Sequence, residues 1–371
     1  MGALAVIAGI VVIILVLWDS LETVILPRTV ARRIGVSSFL NGFLKQFYVF
    51  VGRRVSGKKA ARERLLGAFG PISLLILIVV WAWSLIVGLS LIQWGLDTPL
   101  SVGPHQPLGV HLYASAVTFF TLGYGDVTAT NSLGRIVDVF EAGIGFGFLA
   151  LVIGYIPVLY GSFSSREATI LLLDARAGSP PTAGELLSRY DAPGIDALEE
   201  LLADMEKWCA NLLESYLSYP VLALYRSQHE RMSWLSALTM IMDACTLLRV
   251  TCDRTKPEQS RLVRQAELSY ALARHVVIDL AYVLDIPPQD TKVDRLPPAE
   301  WQRLVEKLRC TDLFVCNVDA DYEKVRQLRR DYEPYLTGVS ETLFLALPPW
   351  LPQDGELDSW EVTAWDAEKH F

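Results

Sequence analysis

The chain has 371 residues, 52% of them apolar, a positive mean hydropathy and a formal net charge of −8. That apolar share exceeds the usual soluble composition and points to a membrane portion joined to a soluble one. The charge is uneven: residues 27–68 hold ten Lys and Arg against one acid, Glu63, while residues 162–371 hold 34 acids against 22 bases, a net of −12. An acidic domain of that kind is a poor nucleic-acid binder, so no nucleic-acid partner is expected.

The first apolar run, "ALAVIAGIVVIILVLW", starts almost at Met1 and, continued to Leu26, is long enough to cross a bilayer. It has no basic start and no cleavage site, which argues against a removed signal peptide. A second run, Ile72 to Trp94, and a third, Ile136 to Tyr160, are spans of the same kind. The basic stretch between the first two faces the cytoplasm by the positive-inside bias. The N-terminus and residues 95–135 then lie outside, and everything after Tyr160 is cytoplasmic. The membrane expected is the cell (inner or plasma) membrane, with a multi-pass chain. Within the basic loop, "FLNGFLKQFYVF" (Phe39 to Phe50) is too short to span; it reads as a helix along the inner leaflet, or against the first span, with anionic lipid head groups as partners.

Between spans two and three lies "GVHLYASAVTFF", about three helical turns, followed by "TLGYGDV". Irregular backbone at membrane depth survives only where protein surrounds it or it lines a wet path. Successive carbonyls face one way only if the backbone alternates in handedness, and Gly123 and Gly125 supply left-handed positions without steric cost. Four copies around an axis would stack rings of carbonyls from Thr121, Leu122, Gly123 and Tyr124, with the Thr121 hydroxyl closing the inner end. The short helix points its negative C-terminal end at the water below, which favours a cation there.

"TLGYGD" resembles the signature of potassium channels, with Leu122 where Val is usual, and the likeness covers Ile72 to Tyr160. It implies K⁺ ions bound at Thr121, Leu122, Gly123, Tyr124 and Gly125, with Asp126 at the outer mouth, in a homotetramer without an organic cofactor. The fold class expected is therefore an all-α membrane protein: a pore-loop cation channel with three transmembrane helices and a re-entrant pore helix per subunit, plus a mainly helical cytoplasmic domain. The domains are 1–26 (first span), 27–70 (basic loop), 71–161 (pore), 162–347 (helical regulatory domain) and 348–371 (acidic tail).

Gly134–Arg135 opens the third span, as in many bacterial relatives, and Gly145 falls where such inner helices often carry a hinge glycine, between Gly143 and Gly147. The alternative for Gly145 is close packing. Pro157 should perturb the helix near its cytoplasmic end. Phe146, Leu149, Ala150 and Ile153 form the candidate apolar gate, which closes by dewetting. Glu141, a costly intramembrane acid, is assigned to filter support through Thr118 or Ser115, since relatives with a pore-helix glutamate carry it where this chain has Val117; packing alone is the other reading. Asp19 and Glu22 are expected to pair with loop arginines beside Arg28. His105 and His111 face outside.

The five cysteines (Cys209, Cys245, Cys252, Cys310, Cys316) show no CxxC spacing and read as free thiols. Helical periodicity covers Ala197–Leu217, Met232–Val250, Glu258–Leu284 and Pro298–Phe314. Lys324, Arg326, Arg329 and Arg330 read as one solvated face. There is no GxGxxG after a strand and no strand-rich cyclic-nucleotide pattern, so the resemblance stops near Tyr160. The tail from Pro348 docks on the domain or another subunit, or is disordered. No nucleophile–base pair or phosphate loop supports an enzyme. A non-selective channel and a potassium-uptake subunit are the alternatives, although uptake proteins resemble four such units fused and this chain has one.

Overall fold

The computed structural model describes residues 2–24, 36–54, 59–190, 194–227, 231–290, 293–309, 311, 318–352, 358 and 361. Among them every regular element is a helix, with isolated bridges pairing Leu100 with Gly103 and Ala129. The chain divides into two compact units, Met1–Gly161 and Ser162–Phe371.

The first unit contains α1 (Gly2–Val24), α2 (Val36–Arg54), α3 (Lys59–Gly95), α4 (Leu108–Phe119) and most of α5 (Ser132–Ala177). By length and composition α1, α3 and α5 can cross a membrane, and α4 is too short to do so. Both α3 and α5 outrun their apolar cores. Their flanks, "KAARERLLGAF" and "SSREATILLLDARA", are rich in strong helix formers, so the helix propagates past the membrane-length run. Pro157 lies within α5 and Pro71 within α3, and neither ends its helix. A proline costs about 3 kcal/mol in a helix interior, but at membrane depth the alternative is unsatisfied backbone in lipid.

The α1–α3 crossing explains four glycines. Gly2 lies against Gly95, Gly9 against Gly88, and Val16 and Trp81 are both buried one repeat further along. The seven-residue spacing on both antiparallel helices returns the same face every second turn. A Cβ on Gly9 would collide with the Gly88 carbonyl oxygen and come within 2.8 Å of Ile92 Cγ1. Asp19, at the end of this seam, accepts a hydrogen bond from the Trp81 indole at 2.8 Å; its expected neighbour Arg28 lies outside the described residues. Gly9→Leu is expected to cost about 1–3 kcal/mol by overpacking, read as a lowered thermal midpoint of the detergent-solubilised protein, with Gly9→Ala intermediate.

The basic loop's short apolar segment is helical, as α2. It packs on α3, where Tyr48 is buried edge-on to Phe69 with centroids 5.0 Å apart, and leaves Phe50 exposed. Residues 25–35 and 55–58, with Arg28, Arg32, Arg33 and Lys58, lie outside the described residues.

The second unit is a helical bundle: α6 (Ala183–Ser188), α7 (Ile195–Ser218), a 3₁₀ turn (Pro220–Leu224), α8 (Trp234–Thr251), α9 (Pro257–Val283), α10 (Pro298–Leu308), α11 (Val318–Arg329) and α12 (Glu333–Leu343). The helix α8 is also long and apolar enough to span, but it is buried almost throughout within this unit and carries Asp243 and Arg249, which marks a central core helix. A reciprocal Ser233–Ser236 capping box starts it. Pro257 and Pro298 each occupy the first turn of a helix, where a missing N–H costs nothing. Arg166, in the part of α5 that belongs to this unit, is anchored by Glu167, the Tyr216 hydroxyl (2.6 Å) and the Leu222 and Tyr225 carbonyls (3.2 and 3.1 Å).

Arg329 corrects the expectation of a solvated basic face. It is 4% exposed, and donates to Glu333 Oε1 at 3.0 Å and Asp294 Oδ1 at 2.6 Å. Arg295 joins the same network through Glu333 (3.1 Å) and Asp243 (2.6 Å), and Tyr332 donates to Asp243 at 2.7 Å. Lys324 and Arg326 do stay in solvent. Burial raises Glu333 above the ordinary glutamate range against the pull of Arg295 and Arg329, and burial with the Asp243 carboxylate puts Tyr332 well above a free phenol. Among the described cysteines, Cys209 and Cys245 are buried thiols and Cys252 is partly exposed; Cys310 and Cys316 lie outside the described residues.

Candidate functional site

The short helix α4 holds one end of the "TLGYGD" stretch. Beyond its last turn, Thr121 N donates to Thr118 O at 3.0 Å and Leu122 N to Val117 O at 2.9 Å, so the loop leaves directly from helical carbonyls. Two contacts fix α4 to its neighbours. The Ser115 hydroxyl reaches Ile86 O on α3 at 3.0 Å and also meets Oε1 of Glu141 on α5. Thr118, the other expected partner of Glu141, turns its hydroxyl back to Ala114 O at 2.9 Å; Ser115 is the residue that makes the contact. Glu141 is fully buried, and its Oε2 has no hydrogen-bond partner among the described residues. Phe119 closes the base of α4 in a cluster with Trp81, Leu85 and Ile86.

The backbone then alternates. Thr121 has φ 53, Gly123 φ 64 and Gly125 φ 75, while Leu122 and Tyr124 stay on the negative side. The two glycines adopt the left-handed conformation that one-sided carbonyls require. Thr121 adopts it too, which the sequence did not announce; a β-branched residue there is strained. Residues 121–126 are exposed in the single chain, Tyr124 by 67%.

The outer end is tied down separately. The Tyr113 hydroxyl on α4 donates to Asp126 Oδ2 at 2.8 Å, and the Ser101 hydroxyl donates to Asp126 O at 3.1 Å while accepting from Thr128 N. Gln93 on α3 donates to Asp138 on α5 at 2.6 Å, holding the two long helices together beside this mouth. Tyr113, Ser101, Gln93 and Asp138 were not singled out from sequence; their partners are 13 to 45 residues away, and no local pattern marks them. His105 pairs with Asp97 at 2.6 Å in solvent, whereas His111, expected to face outside, is buried at 2%.

On α5, Gly145 lies against the end of α4, and a Cβ there would collide with the Phe119 carbonyl oxygen; Gly143 and Gly147 face open space within the chain. Phe146, Leu149, Ala150 and Ile153 recur every three to four residues and are all exposed, so they present one continuous apolar face.

A family model for ion channels matches residues 75–159. The match takes in the apolar part of α3, α4, the loop and α5 to just before Tyr160. No curated protein and no solved structure matches the chain. The fold is all-α, with membrane-length helices in the first unit and a helical second unit, as an ion-channel fold with a helical domain would have, and residues 75–159 are the part similar to the ion-channel family.

Proposed function

We propose that four copies of this chain form a passive K⁺-selective channel, with K⁺ passing along carbonyl oxygens of Thr121, Leu122, Gly123 and Tyr124 below an outer mouth at Asp126. The observation that carries this reading is the alternation of backbone handedness at Thr121, Gly123 and Gly125 in a loop anchored at both ends. Alternation points the intervening carbonyls to one side, and fixed ends keep them there. In one chain that edge is bare, and main-chain oxygens at membrane depth need protein or water around them. A closed ring of subunits supplies both.

The apolar face at Phe146, Leu149, Ala150 and Ile153 is the gate in this scheme, with Gly145 as the point where α5 pivots on α4. The basic residues 27–68 lie on the cytoplasmic side against anionic head groups, the N-terminus is outside, residues 162–371 are cytoplasmic, and the membrane is the cell membrane. Purified protein in liposomes tests the function. A barium-sensitive flux carried by K⁺ and not by Na⁺ is expected, from a particle of four subunits. Equal K⁺ and Na⁺ fluxes would favour the non-selective alternative, and a strictly monomeric particle would end the reading.

Glu141 acts here as a positioning residue, steadying the filter through Ser115. Removing it leaves Ser115 and a cavity behind the loop, a loss of about 1–3 kcal/mol for a buried hydrogen-bonded pair. Glu141→Ala is expected to shorten single-channel openings, and Glu141→Gln, which keeps a hydrogen-bonding amide in place, to restore most of them. Identical gating in all three proteins would assign Glu141 to packing.

A further inference from the structure

After α12 the chain turns back over the second unit as a strap. Trp350 is 1% exposed and sits against two guanidinium groups, Arg295 at 5.8 Å and Arg329 at 5.7 Å from its ring centroid. Its indole N–H has no acceptor among the described residues, and packing and cation–π attraction hold it. Leu345 and Leu351 of the strap are buried as well, Leu351 beside Gly184, and further ties run through the backbone. Arg295 donates to the Pro348 carbonyl at 2.8 Å, and Gly184 N donates to the Trp350 carbonyl at 2.9 Å. Gly184 is a cradle for the strap, since a Cβ there would lie 2.7 Å from the Trp350 oxygen.

The next described contact falls at the end of α5. Asp358 accepts from Arg189 Nη2 at 2.6 Å and from Ser179 N at 3.1 Å. Arg189 also donates to the Ala175 carbonyl at 2.5 Å, in the last turn of α5, which Gly178 closes at φ 84. One carboxylate near the C-terminus therefore braces the terminus of the helix whose earlier residues form the candidate gate.

The strap can lift without orphaning a buried charge. Arg295 keeps Asp243 and Glu333, and Arg329 keeps Asp294 and Glu333. What departs is Trp350 with the buried Leu345 and Leu351 side chains, the accepting carbonyls of Leu345, Pro348 and Trp350, and one carboxylate. A fully integrated core element would leave unpaired ions behind; this one does not.

We propose that residues 345–352 with Asp358 are a releasable clamp on the cytoplasmic end of α5, and that undocking them changes the gating of the pore. The gating half rests on the channel reading; the clamp itself does not. The experiment uses the full-length protein, with Asp358→Asn and Trp350→Ala as variants, hydrogen exchange on residues 174–189, and K⁺ flux in liposomes. Losing the Arg189 ion pair should speed exchange at Gly178, Ser179 and Gly184 by about fivefold, as expected for roughly 1 kcal/mol of local stability. Exchange in α8 stays unchanged, which certifies the fold, and Trp350→Ala has the larger effect. The open fraction should shift by about threefold or more. Unaltered exchange at 174–189 overturns the clamp. Faster exchange with unaltered flux reduces the strap to packing and overturns its regulatory role. Absence of K⁺ flux in the unsubstituted protein sinks the channel reading instead, and with it the gating half.

Discussion

Gly123→Ala is expected to abolish K⁺ flux while leaving the protein folded and assembled. Among the described residues of the chain nothing lies within 4 Å of where a Cβ on Gly123 would sit, so the substitution meets no steric wall within its own chain. The cost is conformational: at φ 64 an L-residue pays about 1–2 kcal/mol. In the proposed ring of four that sum reaches about 4–8 kcal/mol, enough for the backbone to rotate and turn its carbonyls off the proposed axis. Gly109 separates this effect from loss of a glycine as such. It too has open space around its Cβ site, but no left-handed φ, and it lies in the first turn of α4. Gly109→Ala should therefore retain flux within about twofold. Flux assays on both variants, with light scattering to confirm the assembly, check the result. Full flux in Gly123→Ala would mean that carbonyl orientation at this loop does not govern conduction.

Much of the membrane unit is legible because lipid permits few solutions. Long apolar runs must be helices, and the three membrane-length helices of this unit, the short α4 and the left-handed glycines follow from that constraint together with the residue types. What holds the loop in place is not legible. Tyr113–Asp126, Ser101–Asp126 and Gln93–Asp138 are pairings across tens of residues between side chains that look ordinary in isolation. The strained φ of Thr121 is imposed by both anchors and has no local signature. Gly2, Gly9, Gly88 and Gly95 do carry a seven-residue signal, but it appears only when two separate helices are compared.

In the second unit, α7, α8 and α9 follow from their apolar period, whereas α6, α11 and α12 do not. These three are short, and α11 is strongly polar, so tertiary contacts decide them. Arg329 shows the limit most clearly. In sequence it belongs to a basic cluster; in the fold, unlike Lys324 and Arg326, it faces inward against acids 4 and 35 residues away. The docked Pro348–Pro352 segment lies at the start of a stretch that reads as an acidic tail; of its remainder, only Asp358 and Glu361 are among the described residues.

Asp243→Ala is expected to be the most destabilising single change in the second unit. Asp243 is fully buried on α8 and receives Arg295 at 2.6 Å and the Tyr332 hydroxyl at 2.7 Å. Truncation leaves a phenol without its acceptor and removes one of the two carboxylates facing a buried guanidinium. Breaking a buried ion pair from one side costs about 3–5 kcal/mol, or about 6–20 °C in the midpoint of a unit this size. Arg295 retains Glu333 and the Pro348 carbonyl, which places the effect toward the lower half of that range. Asp243→Asn keeps one accepting oxygen and should lose less than Ala. The pH response supplies an independent check. Glu333 titrates above its unfolded value, so its contribution is fully present below the ordinary glutamate pKa and falls as pH rises through the folded one; Asp294, held low because Arg329 outweighs burial, contributes above the ordinary aspartate range and is lost on acidification. Removing Asp243 takes away a negative neighbour that helps hold Glu333 high, so Glu333 should titrate lower in the variant. Melting curves of the full-length protein across pH 3–8, followed by tryptophan fluorescence, read both effects. A variant that melts with the unsubstituted protein would show that the Arg295 network adds nothing to the stability of the bundle.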